Sequence, residues 1–266
     1  MAGTNINPHT ISGINRLDRQ TKHDIYARLI PPQVLARFKI SPDFVDPAGN
    51  NLLEISCAAG SSDTQIALWH EYGFPDPILF GQITDTVHGM IHILLYILND
   101  PKSPRFDVDR MPDGAATMFG TLKRNKDAEA AAMKFGLAPG QIRRGLNILK
   151  SAVQSFDDFI LSLNQDMYFV EPLYYHNAII FERYGFAYEK GRRLMEKIQS
   201  GFTLDGEYSK RLDGSSPFRL PEAAQSIRLR SWAIHDLIMD EPFTDVTMYK
   251  RIGSLSKIST SINCRW

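Results

Sequence analysis

Between residues 50 and 110 the chain breaks into short apolar runs that alternate too quickly for helices. LLEISCAA, TQIALWHEY, PILFGQITDT, GMIHILLYILND and PRFDVDRM are β-leaning segments. Turn residues separate them: Ala59-Gly60-Ser61-Ser62, Gly73 to Pro77, His88-Gly89 and Asn99-Asp100-Pro101. This pattern predicts an antiparallel meander of four or five strands. IHILLYIL, residues 91–98, is almost continuously apolar, which predicts a central strand covered on both faces.

Helical periods flank the meander. Residues 1–15 are polar and read as loose. Ile14, Leu17, Ile25 and Leu29 then share one face, with Ser12 as a cap, and Pro31-Pro32 stops that helix before a short one at Gln33 to Phe38. Ala128 to Phe135 reads as a helix ending at Gly136. Ile142, Leu146, Leu149, Val153, Phe156, Ile160 and Leu163 predict a long helix with Pro139 near its start. MYFVEPLY reads as a strand, YHNAIIFERYGF as a helix closed at Gly185, and YEKGRRLMEKIQSGF as another helix. A turn-rich loop at 202–220 precedes a helix from Glu222 to Met239. The order predicts one α+β domain over 1–266, a mostly antiparallel sheet with helices packed on it. A helical segment at about 12–40 and a helical extension at about 187–266 complete it.

Composition narrows the function classes. Hydrophobic residues make up 43% and charged residues 23%, enough apolar mass for a core. Thirty basic residues balance thirty acidic ones, so no electrostatic footprint for nucleic acid or an anionic membrane is present. The expected partner is a small-molecule ligand, with a homo-oligomer left open. Cys57 and Cys264 form no CxxC pair. The opening MAGTNINPHTISG has neither a basic nor an apolar signal region, and the longest apolar run is far below the ~20 residues of a membrane helix. A cytoplasmic location is the expectation. No GxSxG, P-loop, dinucleotide fingerprint or HExxH motif occurs. His88, His92 and Asp85 have helical metal-site spacing, but Thr84 to Gly89 reads as a hairpin turn.

MYFVEPLYYHNAIIFERYGF, with Asn177 near its turn and Gly185-Phe186 at its end, resembles the late strand–helix segment of GNAT-type acyl-CoA N-acyltransferases. RRGLN, Arg143 to Asn147, resembles that family's glycine-rich pyrophosphate loop. The resemblance covers about residues 141–186. It implies a GNAT-like core, acyl-CoA as co-substrate and transfer of the acyl group to a small amine. Backbone N–H groups at a helix N-terminus cradle a pyrophosphate and the helix dipole adds attraction. On this resemblance Arg143, Arg144, Gly145, Asn147 and Asn177 would bind the cofactor. Glu171, or a water near it, would take the amine proton, with His176 as the other base. Tyr174, Tyr175 or Tyr184 would protonate the leaving thiolate. Phe181 stands where the family carries a tyrosine acid.

Two other readings stay open. His176, Glu182, His235 and Asp236 would build a His–carboxylate pocket, with or without a metal. Alternatively, the aromatic surface at Tyr174 and Tyr175 would bind a ligand without catalysis. The enzyme readings make different structural demands. Acyl transfer needs a strand splayed from its neighbour beside residue 145, whereas the His–carboxylate site needs the late helix packed against residue 176.

Overall fold

The computed structural model describes residues 8–117, 120 and 123–266. It is α+β, with helices and one seven-stranded mixed sheet ordered β1-β2-β3-β4-β5-β7-β6. The strands are β1 (Leu53–Ser56), β2 (Asp63–Leu68), β3 (Leu79–Asp85), β4 (Ile91–Leu98), β5 (Met167–Val170), β6 (Ala187–Lys190) and β7 (Thr247–Arg251). The predicted meander is present as β1 to β4, each antiparallel to the next. Thr86 to Gly89 forms the β3–β4 turn, with Gly89 at φ 75°. β4 and β5 pair in parallel, as two strands joined by a long crossover can. Chain contacts divide the molecule into two compact units.

The first unit comprises residues 1–101, 145–171 and 249–254. Its N-terminal helical segment is broken, in contrast to the single predicted helix. α1 (Ile11–Ile14) is capped by Thr10, not Ser12, and α2 (Arg19–Tyr26) restarts where Asp18 accepts from the Thr21 N–H. α3 (Pro32–Phe38) follows the proline stop as predicted. The part of the expected loose N-terminus within residues 1–7 lies outside the described residues. Tyr26 is fully buried, and its hydroxyl donates to Asn15 Oδ1 at 2.8 Å and meets Thr64 Oγ1 at 3.0 Å. That polar knot ties α2 to β2 inside an apolar core of Ile14, Ile66, Phe159 and their neighbours.

The long predicted helix starts seven residues late. α5 spans Leu149–Ser162, and the fourth helix in chain order, α4, is Lys126–Phe135. Asn147 adopts φ 58°, a left-handed conformation that interrupts the helical path, so Gly145 and Asn147 lie in the loop before α5. Asp157 of α5 accepts from the Tyr168 hydroxyl on β5 at 3.0 Å and from the Lys250 ammonium on β7.

The second unit comprises residues 102–144, 172–248 and 255–266. It contains α4, α6 (Tyr175–Arg183), α7 (Arg192–Gly201) and α8 (Ile227–His235). The predicted strand RFDVDRM is irregular instead, because Arg105 folds back onto Asp107 and Asp109. YEK is strand rather than helix: β6 ends at Lys190, and Gly191, at φ 89°, redirects the chain into α7. The helix predicted over 222–239 is shorter, since Ser226 caps α8 and Leu237 turns left-handed at φ 58°. Trp232 stacks on Phe218 at 5.3 Å and donates to the Leu137 carbonyl at 2.8 Å, centring the core with Val108, Ala132 and Met133.

Removal of the Tyr26 hydroxyl is expected to cost about 1–3 kcal/mol, because its partners stay buried. Urea unfolding of Tyr26→Phe against wild type measures this. A loss under about 0.5 kcal/mol would mean that Asn15 and Thr64 are satisfied without it.

Candidate functional site

Each unit gathers polar side chains at one place. In the first unit the place is the divergence of β4 from β5. Their parallel register joins His92 to Phe169 and Ile93 to Val170. The Glu171 N–H then donates to the Ile93 carbonyl at 3.2 Å, and Pro172, which has no N–H, follows. From Leu95 to Leu98, β4 keeps its β3 partners but has no β5 partner among the described residues. At the same point β4 carries a bulge: Ile93 faces Ile83 and Leu95 faces Gln82, which leaves Leu94 as the extra residue. Ile91 and Ile93 are buried, whereas Leu94 to Leu98 are all partly exposed. The expectation of a strand covered throughout therefore holds for its first three residues, apart from half-buried His92, and fails beyond them.

At the far end of this open edge sits the loop before α5. An ideal Cβ on Gly145 would lie 3.5 Å from the Leu98 carbonyl oxygen, an ordinary contact. α5 has no side-chain cap and no acidic residue in its first turn. Its free N–H groups and dipole therefore present positive potential at the loop. At the near end, Glu171 is exposed, and its Oε2 lies 3.9 Å from His92 Nε2. Burial pushes the His92 pKa down, and the Glu171 charge opposes that shift.

In the second unit the centre is Glu129. It is buried on α4 yet accepts from Arg124 at 2.5 Å and from His235 Nε2 at 3.0 Å. Burial pushes its carboxyl up, but the His235 and Arg124 hydrogen bonds outweigh burial and hold it low. Being ionised, it can only accept, so His235 Nε2 carries the proton. Arg124 also pairs with Asp236 at 2.9 Å, and Asp236 accepts from the Ser216 hydroxyl at 2.7 Å. A cavity of about 10 Å³, room for about one water, is lined by Val108, Asp109, Glu129, Gly140, Tyr174 and His235.

The predicted site residues disperse among these places. Glu171 lies at the strand divergence, and Gly145 and Asn147 lie in the loop before α5. Arg143 is buried and donates to the Ser103 carbonyl at 2.6 Å. Arg144 is exposed and lies over the Phe135 ring at 4.5 Å. Tyr174 stacks on His176 at 5.7 Å and meets the edge of His235 at 5.5 Å, and burial pushes its hydroxyl pKa up. Tyr175 is buried, and burial raises its pKa too. His176 does lie against the late helix, with Nδ1 2.8 Å from Ser231 Oγ on α8. Asn177 donates its N–H to the Tyr174 carbonyl in the first turn of α6, and Tyr184 caps the other end of that helix.

The four residues of the metal alternative do not assemble. Glu182 accepts from the Thr260 N–H, the Thr260 hydroxyl and the Tyr188 hydroxyl, while His235 turns to Glu129 and Asp236 to Arg124. Among the described residues no three His, Cys, Asp or Glu side chains are arranged to hold a metal ion, and no helix is long and apolar enough to cross a membrane.

The sequence pattern singles out neither Arg124 nor Glu129, and His92 only through its metal-site spacing with Asp85 and His88. Two of them leave a signal. His92 is a lone imidazole in an apolar strand, and Glu129 is an acid spaced three and four residues from buried Ala132 and Met133. No family model, curated protein or solved structure matches the chain.

Burial pushes the His176 pKa down to about 3, with a smaller push from His235. An unfolded histidine protonates near 6.5, so between those values the unfolded chain binds the extra proton. Stability is expected to fall as pH drops through this window, by up to about 1.4 kcal/mol per pH unit. Denaturation at pH 6 and pH 5 should give a clearly shallower slope in His176→Asn. Equal slopes would mean that His176 protonates in the native state.

Proposed function

We propose that the chain transfers an acyl group from an acyl-CoA to a small amine. One observation carries the reading: an edge of a central strand with no strand partner among the described residues runs from the β4 bulge to the uncapped N-terminus of α5. Leu94 to Leu98 span roughly 13 Å at ~3.3 Å per residue. The open backbone edge offers N–H and C=O groups to an extended ligand with amides of its own, as a pantetheine arm has, and partly exposed leucines line its sides. The loop at Gly145 and the first turn of α5 would receive the pyrophosphate. Gly145 has no positive φ and no crowded Cβ position, so intramolecular packing does not demand glycine there. Close approach of a ligand does.

In this reading acyl-CoA is the co-substrate and lies along β4. Its thioester reaches the bulge, where backbone N–H groups released from the ladder would polarise the carbonyl. Glu171, exposed and adjacent, removes the proton from the attacking amine nitrogen. The thiolate leaves as the amide forms. A tyrosine role in protonating it is assigned to none of Tyr174, Tyr175 or Tyr184, since burial raises the first two and Tyr184 closes a helix.

A second reading, His–carboxylate chemistry, is favoured by the His235–Glu129 pair beside a small cavity. Arg124 and Tyr174 also crowd that pair, which equally suits a structural ion-pair network.

Calorimetric titration with acetyl-CoA is expected to show saturable binding. Gly145→Ala should fold as wild type but bind at least about tenfold more weakly, since a methyl group there obstructs backbone approach. No heat from wild type at millimolar acetyl-CoA would sink the reading, and equal affinity in the variant would remove Gly145 from it.

A further inference from the structure

His92 has an unusual position for a histidine. It interrupts the apolar run of β4, its side chain is only 18% exposed, and its Nε2 is buried. That nitrogen has no hydrogen-bond partner among the described residues. A buried polar atom left unpaired is destabilising, so its persistence calls for a reason. Its strand neighbours are Thr84 on β3 and Phe169 on β5, whose ring meets the imidazole edge-on at 6.2 Å, and neither carries charge. Among the described residues the charged group that acts on it is Glu171, 3.9 Å away.

We infer that His92 is a positioning residue for Glu171 that takes over the proton Glu171 removes from the amine. The inference rests on the acyl-transfer reading. The N–H bond of the attacking amine breaks and an O–H bond forms on Glu171 Oε2. That O–H then breaks as an N–H forms on His92 Nε2, with the other ring proton on Nδ1. Glu171 returns to carboxylate, and imidazolium and carboxylate remain as a pair until the imidazolium releases its proton to solvent. No oxidant, reductant or further co-reactant is required.

The geometry suits this sequence. At 3.9 Å the pair is outside hydrogen-bond distance, and a shift of about 1 Å by the Glu171 side chain closes it. Glu171 is 47% exposed, so it is free to swing between substrate and imidazole. Burial favours the neutral His92 ring, with its Nε2 lone pair available, and the Glu171 charge opposes that downward shift.

Two measurements test the inference. The first is an NMR titration of His92 in wild type and in Glu171→Gln, a change at an exposed side chain. The pKa of His92 should fall in the variant, because the charge that raises it is gone. An unchanged titration overturns the pairing whatever the enzyme does. The second is the kinetics of His92→Gln with acetyl-CoA and a panel of small primary amines, following thiol release. The value of kcat should fall at least about tenfold while KM for acetyl-CoA stays constant, and the acid limb of the kcat profile should flatten. Wild-type kcat and an unchanged profile would overturn the relay alone. Wild type inert toward every amine would overturn acyl transfer and the relay with it, leaving the NMR coupling as a separate fact.

Discussion

A β-strand inside a sheet has two rows of backbone N–H and C=O groups to satisfy, and among the described residues β4 pairs with β3 along nearly its whole length but with β5 only at its start. On the β3 side the ladder runs from Ile91 to Leu98, broken once at the bulge. On the β5 side it stops after Ile93. The placement of Glu171 and of the α5 N-terminus beside this strand follows from that asymmetry. In the proposed function, the stretch without a β5 partner is where a ligand with amide groups would complete the sheet. The bulge frees backbone donors at its base, and the α5 N-terminus stands at its other end. Glu171 is located by the same event, since it is the residue at which β5 leaves.

The second unit solves a different problem. α4 carries an acid into an apolar core, and the chain surrounds it with Arg124 and His235 so that its charge is never bare. Asp236, Ser216 and Arg219 extend that network toward the surface. Such a group is costly to uncover, because either partner removed leaves a charge without compensation. The same economy explains His176, which is kept neutral against Ser231 rather than paired with a carboxylate. His176 and His235 thus share Tyr174 as a neighbour but find different partners, Ser231 for one and Glu129 for the other.

The local signals in the sequence were of unequal value. Period-two runs bounded by glycine, proline and asparagine located β1 to β4 and the turn at Gly89, because strand and turn chemistry are local. The proline pair placed α3 for the same reason. The period from Ile142 misled, because apolar spacing is indifferent to φ: Asn147 breaks the helix without interrupting the pattern. YEKGRR misled similarly, since Gly191 separates a strand from a helix inside one polar run. In the candidate site, Glu171 and Gly145 were legible as residue types in an expected order. His92 was considered only as a metal ligand, since its relation to Glu171 depends on a parallel pairing across more than seventy residues.

By itself, then, the sequence determined the α+β class, the antiparallel meander, the helix-rich flanks and the low charge bias, all of which are set by composition and short-range period. Tertiary structure alone decided which polar groups meet. It brought His92 to Glu171, set Glu129 between Arg124 and His235, and left part of one edge of β4 with no strand partner among the described residues, beside an uncapped helix. The physical reason is that hydrogen bonds and ion pairs are contacts between distant residues. No local pattern encodes which buried donor will find which acceptor, or which will find none.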